Sequence, residues 1–114
     1  MQEFSDDRSL IPLRGYTPFQ RDLLRAFAAR YIWWQTPEES LDFPERILAQ
    51  VMTLGTYEDL GQLVRGFSPD DLRSVIYHAE PGWFNGRAWA FWHVRLGLVA
   101  FGTNPPPLPI RRFA

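Results

Sequence analysis

Three acidic pairs and two histidines are the residues here whose types suit proton chemistry. Two carboxylates can divide the work of general acid and general base when their surroundings push their pKa values apart. Glu38 with Glu39, Glu58 with Asp59 and Asp70 with Asp71 each fall in the first turn of a predicted helix. There a carboxylate satisfies free backbone N–H groups and faces the positive end of the helix dipole. Capping therefore accounts for all three pairs. His78 falls near the end of one predicted helix, where a cationic imidazole is favoured, and His93 lies inside another. Neither has a carboxylate at ligand spacing, so structural histidines are expected rather than a metal site. With no Cys in the chain, disulfides and thiolate metal sites are excluded. The chain also lacks a Gly-rich phosphate loop, an H-E-x-x-H pair and a G-x-S-x-G turn. Asn85-Gly86 reads as a turn and nothing more. No cofactor is expected, and the expectation is that the protein is not an enzyme.

The elements that must position these groups read as helices. Thr17, Pro18 and Gln20 form a capping box with Pro at the first helical position, predicting a helix from Pro18 to about Trp34. Leu24, Phe27, Tyr31 and Trp34 share its inward face. Thr36, Pro37 and Glu39 repeat the signal for a short turn. A helix follows from about Pro44 to Leu54, with Ile47, Leu48, Val51 and Met52 inward and Gly55 as the stop. Thr56 with Asp59 opens the next, Tyr57 to Arg65, burying Leu60, Leu63 and Val64. Ser68, Pro69 and Asp71 open another, to about Ala79, with the stripe Leu72, Val75, Ile76 and Ala79. From Arg87 to Leu98 the chain is apolar almost all round, interrupted by Arg87, His93 and Arg95. A helix of that kind is expected to be surrounded by others, and this one is too short to span a membrane, which takes roughly 20 apolar residues.

The fold class is therefore all-α: one compact bundle of about five main helices, with an apolar C-terminal central helix and a Pro-rich extended tail. The expected organisation is an N-terminal arm over residues 1–16, a helical domain over 17–100 and the tail over 101–114. Three consecutive Pro and Pro109 impose an extended polyproline backbone on the tail. Its reading is a strap held down through Leu108, Ile110 and Phe113, with a free proline ligand as the alternative.

Composition limits the function classes. The 114 residues carry a net charge of −1, which gives no general pull toward nucleic acid or anionic lipid. All the basic residues are Arg. A GC-rich genome accounts for that bias; selection for forked contacts is the alternative. The N-terminus has no apolar signal core, so a cytoplasmic location is expected. The pair Tyr57–Arg65 and Pro69–Ala79 resembles a helix-turn-helix, which keeps a DNA-binding regulator open. Its second helix would present Asp70 and Asp71 to phosphate, with Arg73 as its one basic group.

Four phrases occur together: RYIWWQTPEESLDFPERILAQVM, LGTYEDL, HAEPGWFNGRAWAFWHVRLGL and PPLPIRRF. As a set, covering residues 27 to 113, they resemble a family of small all-helical bacterial proteins encoded beside nucleotidyltransferase toxins of the abortive-infection type. The resemblance implies an antitoxin, a protein-binding module whose partner is that toxin; it assigns no catalytic residues. A small enzyme with an unrecognised site is the remaining alternative. Aromatic residues and Arg are enriched at binding hot spots, and the candidate partner contacts are Arg30, Trp33, Trp83, Phe84, Arg87, Arg111 and Arg112. Trp33 stands out among them. It continues the side of Asp22, Ala26, Ala29 and Arg30, which is expected to meet solvent, so it needs a cover from this chain or from a partner.

Overall fold

The computed structural model describes residues 15–110. Those residues form helices α1 (Pro18–Tyr31), α2 (Pro37–Ser40), α3 (Pro44–Leu54), α4 (Tyr57–Gly66), α5 (Pro69–Tyr77) and α6 (Gly86–Arg95), and no strand occurs among them. This is the expected all-α fold. Local chemistry explains the helix starts. Thr17, Thr36, Thr56 and Ser68 each accept a hydrogen bond from the backbone N–H three residues on. The side-chain oxygens of Gln20, Glu39 and Asp71 in turn accept from the backbone N–H of Thr17, Thr36 and Ser68, closing three capping boxes. Asn85 caps α6 in the same way, through the Ala88 N–H at 2.8 Å.

The centre of the bundle differs from the expectation. It is α3, which packs against each of the other five helices. Pro44, Ile47, Leu48, Ala49, Val51 and Met52 are all buried, covering most of its circumference. By contrast, α6 packs mainly on α3 and keeps one side at the surface: Ala88, Trp89, Trp92 and His93 are buried, whereas Phe91 is 54% exposed. An apolar circumference thus failed to mark the central helix, because α6 leaves Phe91 in solvent. Trp92 anchors α6 to α3 by donating its indole N–H to the Met52 carbonyl at 2.8 Å. His93 is buried and donates from Nδ1 to the Trp89 carbonyl one turn back, at 2.7 Å.

α1 also ends earlier than expected. Ile32 leaves helical geometry and is buried, so the chain turns at Trp33 and Trp34. Trp34 therefore does not continue the inward face and is 45% exposed. Val64, expected inward, is largely at the surface, whereas Leu63 is fully buried. The close approach of α1 to α4 depends on Gly66: a Cβ there would come within 2.7 Å of Leu23, and the Gly66 carbonyl accepts from Gln20 at 2.8 Å.

The Pro-rich segment lies on the body as far as Pro109. Trp89 donates its indole N–H to the Pro106 carbonyl at 2.7 Å, and Leu108 packs on the core. Ile110, expected to be buried, is exposed. Most of the expected arm (residues 1–14), together with Arg111, Arg112 and Phe113, lies outside the described residues.

Candidate functional site

Pro44 starts α3 because its fixed φ and missing N–H suit a first helical position. That start places Glu45 and Arg46 in the first turn, facing two other segments: the Trp33–Gln35 turn after α1, and the stretch from His78 to Trp83 after α5. Between them is an open pocket of about 710 Å³ lined by Tyr16, Trp34, Phe43, Glu45, Arg46, Asp71, His78, Glu80 and Trp83, among others.

Arg46 is its distinctive group. The guanidinium carbon lies 5.7 Å from the Trp34 ring centre and 5.8 Å from that of Trp83, within cation–π range of both. Its Nη1 is sealed from solvent and has no hydrogen-bond partner among the described residues. Burial lowers the Arg46 pKa from its ordinary value, and the charge of Glu80 opposes the shift. Tyr16 is pushed up to about 12 by burial, with Glu45 and Asp71 adding to the effect.

The carboxylates of the pocket are mostly engaged. Glu45 accepts from the Ser74 hydroxyl at 2.5 Å and faces His78 Nδ1 at 2.8 Å. Asp71 closes the α5 capping box. Ser74, His78 and Glu45 combine the residue types of a hydrolytic triad, but their geometry differs from one. In a triad the nucleophile bonds one imidazole nitrogen and the acid bonds the other. Here Ser74 and Glu45 both approach Nδ1, and the Ser74 hydroxyl points to the carboxylate. Ser74 therefore lacks the imidazole base of a triad, and its hydroxyl donates to Glu45 instead.

A second polar cluster joins α1 to α4. Asp59, read from the sequence as a capping residue only, is 2% exposed. Its oxygens accept from Arg30 Nη1 and from the Tyr31 hydroxyl, each at 2.5 Å. The Tyr31 oxygen in turn accepts from the Thr56 N–H at 3.2 Å. The Tyr31 hydrogen bond, with help from Arg30, holds the Asp59 carboxyl below its ordinary range despite its burial. Burial and the same bond raise Tyr31. No buried side-chain atom of this cluster lacks a partner, which is the arrangement of a structural tie.

The expected partner contacts fall in different places. Trp33 is 82% exposed, its ring edge-on to Trp34 at 5.3 Å, so it stands beside the pocket mouth. Trp83 lines the pocket. Arg30 has its charge committed to Asp59. Arg87 is exposed at the start of α6 and lines no part of the pocket. Phe84 belongs to the core rather than to an accessible surface: it is 6% exposed and packs on Trp89. Arg46 and Trp34 were missed. In sequence Arg46 is one more charge beside an apolar stripe, and no pattern there places indoles on two of its sides.

Helix α5, the second helix of the helix-turn-helix resemblance, holds its one arginine fast: Arg73 donates to the Leu96 carbonyl at 2.8 Å and to Asp70 at 2.7 Å. Among the described residues no cluster of three metal-ligating side chains occurs, and no helix is long and apolar enough to cross a membrane. Comparison with protein families, curated proteins and solved structures finds no match for this chain.

Proposed function

We propose that this chain is a non-catalytic, cytoplasmic protein-binding module, the antitoxin partner of a nucleotidyltransferase toxin. The observation that carries the binding reading is Trp33, 82% exposed and stacked edge-on against Trp34. Phe43, on the same pocket, is 63% exposed. Exposed aromatic surface favours association, and Trp is among the residue types most enriched at hot spots. The identity of the partner rests on the family resemblance alone. The described part of the Pro-rich tail does not supply the cover expected for Trp33, since it runs by Trp89 and leaves Trp33 82% exposed; the N-terminal arm, the other cover this chain could supply, lies outside the described residues. A DNA-reading role for α5 is the weaker alternative, because Arg73 is already held and Asp70 sets an exposed carboxylate at that end.

The test is a binding titration against a purified nucleotidyltransferase toxin encoded beside the gene. Trp33→Ala is expected to weaken binding by at least about 2 kcal/mol while shifting stability by less than about 0.5 kcal/mol, as surface changes do. Absence of binding by the wild-type chain removes the antitoxin reading. Unchanged binding by the variant removes Trp33 as the anchor.

A further inference from the structure

We propose that the Arg46 pocket is a binding site for a carboxylate carried on an apolar or aromatic body. The inference stands on the pocket and is independent of the partner proposed above. A buried guanidinium N–H without an acceptor costs about 1–3 kcal/mol or more, and Arg46 Nη1 is in that state among the described residues. Nη1 is closed to solvent as the pocket stands, so an acceptor relieves the cost when the Arg46 side chain turns this N–H toward the pocket it lines, and an anionic acceptor then forms the stronger, charge-assisted bond. The two indoles flanking the guanidinium supply the apolar walls for the rest of the ligand, and a volume of about 710 Å³ has room for a molecule of drug-like size.

The charge of the pocket chooses among anions. Arg46 is its one arginine, against Glu45, Asp71 and Glu80. Glu45 and Asp71 are occupied by their own hydrogen bonds. Glu80 is exposed and takes part in no ion pair among the described residues, yet its charge acts on Arg46. A dianion such as a phosphate monoester draws about twice the attraction of a carboxylate from that one cation, but it also meets about twice the repulsion from the carboxylates and a desolvation cost that rises as the square of its charge. The site therefore favours a monoanion, and Glu80 competes with it for the guanidinium.

N-acetylphenylalanine is the probe, with N-acetylphenylalaninamide and phenyl phosphate as controls, titrated into the purified chain by calorimetry and by the indole N–H signals of Trp34 and Trp83. The expected result is saturable binding of the acid, with the amide weaker by at least about tenfold because it lacks the charge, and phenyl phosphate weaker than the acid. Arg46→Met abolishes the binding and Arg46→Lys restores part of it, while Glu80→Gln tightens it severalfold. The comparison of acid with amide uses the wild-type chain, so it stands even if an Arg46 variant fails to fold. Equal binding of acid and amide, tighter binding of phenyl phosphate, no binding at millimolar acid, or undiminished binding by a folded Arg46→Met overturns the proposal.

Discussion

Arg30 and Arg46 sit on neighbouring helices of one small bundle, and the fold gives the same guanidinium two opposite settings. Arg30 is more than half exposed, and it lies over a carboxylate that is itself almost fully covered. Asp59 there has two donors, and the donor Tyr31 is itself met by the Thr56 N–H. Arg46 has two aromatic faces and no acceptor for Nη1 among the described residues. The first setting spends its polar groups on holding α1 to α4. The second leaves polar capacity unspent in an open pocket. A satisfied cluster contributes stability and offers little to a ligand; an unsatisfied donor contributes little stability and is available for recognition.

The largest expected effect breaks the satisfied side. Asp59→Ala removes the acceptor for both Arg30 and Tyr31 and is expected to cost about 2 kcal/mol, the scale of hydrogen bonds to a charged group. Arg30 relaxes into solvent, which keeps the cost from rising further. A urea melt of the variant against wild type measures it, and a loss below about 0.5 kcal/mol would show that the cluster is not a tie.

The same site governs the acid limb of stability. The folded pKa of Asp59 lies below its ordinary value of 3.8. A depressed carboxyl contributes stability that is present above the unfolded pKa and lost as pH falls through the folded one. Melts from pH 7 down to pH 2 are expected to show that loss in wild type and a flatter acid limb in Asp59→Asn.

The alkaline limb tests the other site. Tyr16 in the pocket rises from 10.0 to about 12. A raised phenol contributes stability that is complete below the unfolded value and disappears as pH rises through the folded one. The window is therefore pH 10 to about 12 for Tyr16, and Tyr16→Phe is expected to reduce the loss there. Tyr31, also raised, contributes in the same direction.

The smallest stability effect is expected at Arg46. Replacing a poorly partnered, half-buried charge by an apolar side chain of similar length is often neutral or stabilising, while the lost cation–π contacts cost about 0.5–2 kcal/mol. Arg46→Met is expected to stay within about 1 kcal/mol of wild type. A loss larger than that of Asp59→Ala in the same melt would invert the comparison and make Arg46 the structural arginine.

How much of this was legible depends on how local the cause is. The capped starts at Thr17, Thr36, Thr56 and Ser68 involve groups three residues apart, and the stripes of α3 and α5 repeat within one helix, so both could be read directly. Trp33 was legible as a surface indole from the face it continues, although the helix ends before it. The role of Asp59 was only half legible. Its capping position is local, but its covering by Arg30 and Tyr31 comes from residues 29 and 28 positions away.

By itself the sequence determined the helix starts, the all-α class, the absence of thiol chemistry and the apolar faces, because each follows from residue type and short-range spacing. Tertiary structure alone decided which helix lies at the centre, since two apolar helices compete for that place and only packing chooses α3 over α6. It also decided that Phe84 is core, that Trp34 and Trp83 meet across Arg46, and that Ser74 and His78 share Glu45 without forming a triad. Those outcomes rest on contacts between residues far apart in the chain, whose distances are set by how the helices pack and not by any spacing a linear pattern records.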